Sequence, residues 1–416
     1  MMLQIFGIIF IYLFKIIFAS PWSEDDVKFM KRAVSLGSQS LGRAAPNPCV
    51  GCVIVDSGNK IVGEGWHVRA GESHAEVIAL TNAGDRAKGG TAYVSLEPCN
   101  HFGRTPPCTH ALLNSSIARV VVGMVDPDPR VSGSGLQHLA KNGVKIELGL
   151  EEHLCRDLNR AFCFRVRHKQ PMVTACTINS DNDVSKVKCI KDYLHLHAKD
   201  IDTVFIDWKN VNVEYYQNLC ANLPSYMNIV FHYSDVNINN NNYDNDGDQL
   251  FVSKLKEIID IKADDDTEVY GSGRERKIVV FTTKENLSEV MTKHNLIDNS
   301  CILVVMDPIQ SQYDIIQRMC EMDISNSLLV FADSHHGIET LTRLGSLQRF
   351  IMIPESVTDY SNLCTLMRKK YNPDSNIHLE KTMVDFKDAG SSSESEITLA
   401  GRKAFHLVSW KNINRR

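Results

Sequence analysis

The 416-residue chain has no large surplus of charge, since 45 Lys and Arg stand against 50 Asp and Glu for a slightly acidic net of −5. It therefore has no overall field that would draw it onto a phosphate backbone. A nucleic-acid partner finds no support, and any phosphate must be met by a local cation. Cysteine is sparse: twelve thiols, irregularly spaced, are too few for a disulfide scaffold in a chain this long. Apart from one pair taken up below, Cys155, Cys163, Cys176, Cys189, Cys220, Cys301, Cys320 and Cys364 read as small core hydrophobes. No internal repeat is visible. Compositional bias is confined to an Asn/Asp run over 237–248 and a Ser/Glu run over 391–396, both read as flexible surface insertions.

What is present is an ordinary globular composition, 43% hydrophobic and 23% charged, which excludes a disordered or fibrous chain. The length predicts two domains. A long apolar run occurs once, over residues 5–14, followed by Lys15 and by small residues at Ala19-Ser20. It has the form of a leader over 1–22, too short for a comfortable membrane span, so no stable span is expected in the mature chain. An upstream extension without function and an uncleaved anchor are the alternatives. Because the pair of thiols taken up below must stay reduced, the leader fits delivery to an organelle such as a plastid better than export, with the cytoplasm as the other reading.

From Ser23 onward, helical and strand-like segments alternate as αββαβαβα. A helix opens at Ser23-Glu24-Asp25-Asp26. A hairpin over 49–65 turns at Asp56-Ser57-Gly58-Asn59. Helices are expected over 74–82, 108–114 and 136–141, strands over 91–96 and 119–124, and a single amphipathic helix over 151–167. Lys169-Gln170-Pro171 is the expected boundary between domains at 23–170 and 171–416. The second domain carries β-rich runs near residues 203, 227, 277, 301, 327 and 350, with helical segments between several of them, so the chain is α/β throughout.

The local chemistry centres on His74-Ala75-Glu76, then Pro98-Cys99, then Cys108. One imidazole and two thiolates satisfy three positions of a tetrahedral Zn2+ and leave the fourth for water, as a catalytic site requires. Zinc lowers the pKa of such a water from about 15.7 to about 7. Glu76, two residues past His74, is placed to shuttle the proton as water attacks an amine-bearing carbon, the arrangement of zinc deaminases. Cys108, ahead of an apolar helix, has backbone N–H groups to favour its thiolate. Two other readings compete. Ser73-His74-Ala75-Glu76 is also a capping box in which Glu76 merely returns to the Ser73 N–H. A structural zinc site would recruit a fourth ligand from His101 or His110.

These residues resemble the riboflavin-biosynthesis deaminase/reductase family over about 25–170. The resemblance rests on Pro46-Asn47-Pro48-Cys49-Val50-Gly51, Gly63-Glu64-Gly65-Trp66-His67, Gly71-Glu72-Ser73-His74-Ala75-Glu76 and Leu96-Glu97-Pro98-Cys99-Asn100-His101-Phe102-Gly103-Arg104-Thr105-Pro106-Pro107-Cys108. The eight residues between the two cysteines distinguish this pattern from the P-C-x-x-C of nucleoside and tRNA deaminases. The resemblance implies a cytidine-deaminase-like three-layer αβα domain followed by a dihydrofolate-reductase-like domain. It implies a hydrolase that converts 2,5-diamino-6-(5-phosphoribosylamino)pyrimidin-4-one to 5-amino-6-(5-phosphoribosylamino)uracil. It also implies substrate contacts at Asn47, His67, His101 and Arg104, and association through the second domain into homo-oligomers.

The resemblance weakens after residue 170. The Ser-Leu-Asp-Gly opening of the reductase is replaced by Thr177-Ile178-Asn179-Ser180-Asp181, and its Gly-x-Gly-Thr turn by Phe205-Ile206-Asp207-Trp208-Lys209. Its acidic-Gly-Gly loop reads Asp333-Ser334-His335-His336-Gly337. Bulky side chains stand where backbone should approach a cofactor phosphate. Reductase activity and NADPH binding are therefore expected to be absent, as in plant-type monofunctional deaminases. Gly133-Ser134-Gly135 and Gly271-Ser272-Gly273 lack the third glycine of a dinucleotide fingerprint. Deamination of another nucleotide or nucleobase, and a silent zinc-containing scaffold, are the alternative functions.

Overall fold

The computed structural model describes residues 22–103, 105–129 and 131–177, and beyond these mainly 199–207, 226–233, 245–259, 277–283, 287–293, 301–306, 312–331 and short strands over 347–352, 380–382, 397–399 and 402–408. The chain divides into two compact units. One comprises Met1–Ser40 and Cys49–Arg160, the other Leu41–Pro48 and Ala161–Arg416.

In the first unit, helix α1 (Glu24–Gly37) starts where the capping residues predict. Ser23 Oγ accepts the Asp26 N–H and Asp26 accepts the Ser23 N–H, each at 3.0 Å. Strands β1 (Gly51–Val55) and β2 (Ile61–Trp66) form the expected hairpin. Asp56 Oδ1 accepts the Gly58 and Lys60 N–H groups, and Asn59 takes the left-handed conformation at φ 66°. Strands β3 (Thr91–Val94), β4 (Arg119–Val122) and β5 (Lys145–Leu148) complete a sheet of order β2-β1-β3-β4-β5. It is antiparallel through β3 and parallel beyond.

Helices α2 (Ala75–Ala83), α3 (Cys108–Asn114) and α4 (Ser134–Lys141) bury Ala79, Leu80, Leu112 and Leu139 against Cys52, Ile54, Val94, Val120 and Val122 on one face of this sheet. Tyr93 alternates to the other face, where α1 lays Phe29 against it with ring centroids 5.2 Å apart. The result is three layers, αβα. A charged knot secures the α1 side: Asp26 accepts from Tyr93 Oη at 2.7 Å and Arg119 Nη1 at 2.8 Å, and Arg119 also pairs with Glu147.

Between residues 142 and 170 the structure departs from expectation twice. The pattern read from sequence has no fifth strand, yet β5 exists as an edge whose four residues are all intermediate or exposed. The single helix expected over 151–167 is two, α5 (Glu152–Leu158) and α6 (Arg160–His168). Asn159 separates them. Its side-chain amide donates to the Cys49 carbonyl at 2.9 Å and accepts the Cys49 N–H at 2.8 Å, imitating a strand partner, and this use of a buried Asn outweighs helix continuity.

In the second unit, β6 (Met172–Thr177), β7 (Thr203–Asp207), β8 (Asn228–Tyr233), β9 (Ile278–Thr282), β10 (Cys301–Val305), β11 (Ser327–Phe331) and β12 (Leu347–Met352) run parallel in the order β10-β9-β8-β7-β11-β6-β12. The antiparallel strands β13 (Glu380–Thr382), β14 (Ile397–Leu399) and β15 (Arg402–Val408) extend it. Alternation along the central strands feeds two cores. Val204, Ile206, Ile229, Phe231 and Val280 meet α7 (Asn245–Ile259) and α8 (Leu287–Lys293), while Phe205, Val230, Val279 and Phe281 meet α9 (Gln312–Glu321). Strands covered on both faces explain why these segments read as continuous apolar runs.

The Asn/Asp run is not wholly a surface insertion. Residues 245–248 open α7, and Asp248 is buried, accepting the Tyr233 hydroxyl at 2.7 Å. Its earlier part lies outside the described residues, as do 178–181, 208–209, 332–337 and 391–396 of the segments singled out from sequence. Cys155, Cys163, Cys220 and Cys301 are buried and Cys320 is partly buried. The side chains of Cys176, Cys189 and Cys364 lie outside the described residues. Among the described residues, no helix is long and apolar enough to cross a membrane.

Candidate metal centre and active site

The site forms where α2 and α3 start. β2 carries glycine at positions 63 and 65 because α2 lies flush against it. A Cβ on Gly65 would fall 2.5 Å from the Ala75 carbonyl oxygen, and one on Gly63 2.1 Å from that of Ala79. This close approach seats the first turn of α2, with His74 as its N-cap residue. His74 makes no capping bond through its side chain. The capping box read from Ser73 and Glu76 does not form: the helix begins one residue later than it requires, and Glu76 turns inward, 3% exposed.

The turn bearing Cys99 is tied to the start of α3. The Cys108 N–H donates to Cys99 Sγ at 3.4 Å, the Thr109 N–H to the Cys99 carbonyl at 3.2 Å, and Thr109 Oγ1 to Asn100 Oδ1 at 2.8 Å. These bonds bring the two sulfurs together with the His74 imidazole. His74 Nδ1 lies 3.2 Å from Cys108 Sγ and 3.5 Å from Cys99 Sγ, and all three ligand atoms fall within 4.8 Å of one another.

This donor set fits zinc. Tetrahedral angles with Zn–S of about 2.3 Å and Zn–N of about 2.0 Å put neighbouring ligand atoms roughly 3.5 Å apart, close to the separations found. Electrostatics agree. Hydrogen bonding from Cys108, with help from His74, outweighs burial and lowers the Cys99 thiol to about 4. The Cys108 thiol is pushed far up by its bond to the Cys99 sulfur and by burial. Two adjacent sulfurs can both be thiolates only with a cation between them. Among the described residues, His101 and His110, both exposed, do not join the ligand group.

Glu76 is the buried acid of this site. Burial, then the neighbouring Cys99 sulfur, pushes its carboxyl up to about 7, where it can both take and give a proton at neutral pH. His67 is 3% exposed, with its ring edge-on to that of His74 at a centroid distance of 5.2 Å. Burial lowers its pKa, the Ser73 carbonyl partly opposing. The neutral ring places Nδ1 3.2 Å from that carbonyl oxygen, which requires Nδ1 to carry the hydrogen and makes Nε2 the acceptor nitrogen. Asn47 lies in the segment grouped with the second unit, where its N–H donates to the Ala44 carbonyl at 2.9 Å. Arg104 lies outside the described residues.

Residues 23–124 match the cytidine and deoxycytidylate deaminase zinc-binding region. The chain is 54% identical over 147 residues to riboflavin biosynthesis protein RibD of Synechocystis sp. and 54% over 142 residues to riboflavin biosynthesis protein PYRD, chloroplastic, of Zea mays. These stretches are 35% and 34% of this chain, and they span only 40% and 36% of those relatives' lengths. A third relative, the diaminohydroxyphosphoribosylamino-pyrimidine deaminase of Buchnera aphidicola subsp. Acyrthosiphon pisum, is 51% identical over 143 residues, 34% of this chain and 97% of that protein. The chain belongs to this deaminase family.

Beyond the deaminase region, likeness persists in fold. RibD of Acinetobacter baumannii superimposes with a TM-score of 0.60 at 21% identity, covering 93% of this chain and 99% of that one. Within the deaminase unit, sequence reasoning overlooked two acidic groups. Burial pushes Asp126 up to about 6, and the His101 ring lies within its electrostatic reach. Glu97, 4% exposed, holds backbone N–H groups well removed in sequence. The only signal for either was position, one beside Pro98-Cys99 and the other in Asp126-Pro127-Asp128-Pro129 after β4.

Proposed function

We propose that this protein hydrolyses the exocyclic amine of 2,5-diamino-6-(5-phosphoribosylamino)pyrimidin-4-one to give 5-amino-6-(5-phosphoribosylamino)uracil and ammonia. The observation that carries the reading is the convergence of His74 Nδ1, Cys99 Sγ and Cys108 Sγ beside a buried carboxyl raised to about 7. Zinc held by these three residues would lower the pKa of a coordinated water into the neutral range. Glu76 takes one proton of the water as the oxygen adds to the amine-bearing carbon and hands it to the adjacent ring nitrogen, then takes the proton left on the added hydroxyl and delivers it to the amine, so that the C–N bond breaks, ammonia leaves and the carbonyl forms. His67, neutral with Nε2 as acceptor, can receive an N–H of the base. Asn47, His101 and Arg104 complete the substrate contacts, with Arg104 as the cation for the phosphate that the acidic chain does not otherwise attract.

Purified zinc-loaded protein should release ammonia from this pyrimidine and not at a comparable rate from cytidine or deoxycytidylate. Faster release from either of these two would reassign the substrate, and release from none would leave a scaffold. The second unit contributes no NADPH-dependent step on this reading, which the replaced loops at 177–181, 205–209 and 333–337 support. An NADPH-dependent conversion of the product would refute it. The leader and the chloroplastic relative support a plastid location, checked by fluorescent-protein fusion. Light scattering tests homo-oligomerisation.

A further inference from the structure

The Gly133-Ser134-Gly135 stretch, which lacks the third glycine of a dinucleotide fingerprint, has a partner of another kind. α4 opens from Gly133, which sits in the left-handed region at φ 79° and offers no side chain to cap the helix. The cap comes instead from Glu97, on the turn that follows β3. Oε2 accepts the N–H of Gly133 at 2.9 Å and that of Asp126 at 3.3 Å, and Oε1 accepts the N–H of Gly135 at 3.0 Å. The Glu97 N–H in turn donates to the Met124 carbonyl at 3.0 Å. One buried residue thus grips the end of β4, the loop after it, and the first turn of α4, where the helix dipole favours a carboxylate.

With Gly133 held at φ 79°, a side chain at that position would be strained, and the cap is supplied from a distant residue instead. A second contact shows what the long-range grip achieves. A Cβ on Gly135 would lie 2.1 Å from the Pro98 carbonyl oxygen, so the backbone of α4 rests directly on the peptide that precedes Cys99. Glu97 stands two residues before that cysteine and pulls the same segment inward.

We propose that Glu97 is a positioning residue for the metal centre: by clamping residues 126–135 onto the Pro98-Cys99 turn, it fixes Cys99 Sγ relative to His74 and Cys108. The inference rests on the reading of those three residues as zinc ligands. Groups that hold ligands in place commonly contribute about 10- to 100-fold to metal affinity or activity.

Three variants of the full chain test this. Glu97→Gln preserves size but turns an amide N–H2 toward backbone donors. Gly135→Ala leaves Glu97 intact and pushes α4 off Pro98. Glu97→Asp retains the charge with a shorter reach. Zinc affinity is read by chelator competition, sulfur geometry by the charge-transfer and ligand-field bands of the cobalt-substituted protein, turnover by ammonia release, and global stability by urea unfolding.

The expected result is a loss of zinc affinity and of kcat of about 10- to 100-fold in Glu97→Gln and Gly135→Ala, with shifted cobalt bands and partial recovery in Glu97→Asp. A lowered urea midpoint with wild-type zinc affinity and cobalt spectrum would reduce Glu97 to a helix cap and overturn the proposal. If wild-type protein holds zinc but releases no ammonia from the pyrimidine, the substrate reading fails while the chelator and cobalt measurements still decide the role of Glu97. If Glu97→Gln does not fold, the other two variants carry the same outcomes.

Discussion

Replacing Glu76 by Gln removes the proton carrier while keeping the shape of the site. The wild-type carboxyl, pushed up to about 7 by burial and then by the Cys99 sulfur, divides between its two protonation states near neutrality. It can therefore act as base in one step and acid in the next without leaving the substrate. Gln can do neither. General acid and base transfer by one positioned group is worth about 10²- to 10⁴-fold, which corresponds to roughly 3 to 5.5 kcal/mol of barrier. The account predicts that loss in kcat, with KM little changed because Gln occupies the same volume. Zinc content should remain stoichiometric, since the carboxylate is not among the three ligand atoms. A bound cation lowers the carboxyl from its raised value, so kcat/KM should rise with pH along a limb at or below about 7, and Gln should abolish that limb. Ammonia release measured across pH, beside metal analysis of both proteins, decides the matter. A Gln variant that retains more than about a tenth of wild-type kcat, or one that loses its zinc, would refute this use of Glu76.

Three further outcomes follow from the fold. Asp26 is 8% exposed, and the burial that opposes its ionisation is outweighed by hydrogen bonds from Arg119, Tyr93 and Ser23, which hold its pKa well below the usual 3.8. Its contribution is complete above that value and drains away as pH falls through the folded-state pKa. Asp26→Asn should cost about 2 to 4 kcal/mol at pH 7 and flatten the acid limb of stability followed by urea unfolding. Asn159→Ala strands the Cys49 N–H and carbonyl and should cost about 2 to 4 kcal/mol by the same assay. Gly65→Ala drives a methyl group into the α2 backbone, 2.5 Å from the Ala75 carbonyl oxygen, and should displace His74 and lower zinc affinity at least about tenfold by chelator competition.

The deaminase unit was legible where its determinants are local in sequence. Capping residues at Ser23 and Asp26, the short apolar runs of β1 and β3, and the Asp56 to Asn59 turn each act over a few residues, and each forms where expected. The three ligands were legible because two short motifs contain them all and the chemistry of zinc demands that combination. What was missed depends on contacts between distant residues. The amphipathic run over 151–167 gives no hint that Asn159 is needed at Cys49, and so conceals the break between α5 and α6. β5 is a four-residue edge whose apolar face is only Ile146, partly buried against the core, and Leu148, 44% exposed. Asp248 belongs to a polar run and is nonetheless drawn inside by Tyr233. Glu97 sits in full view beside Pro98-Cys99, but its partners at 126, 133 and 135 become visible only when β4 and α4 fold against it.

The central claim is that water replaces an amine on the phosphoribosylaminopyrimidine. Incubating the zinc-loaded protein with that compound in ¹⁸O-enriched water, followed by mass spectrometry of the product and an ammonia assay, tests it directly. The account predicts one solvent oxygen incorporated for each ammonia released, without any need for NADPH. Unchanged starting material, or ammonia without incorporated label, would contradict it.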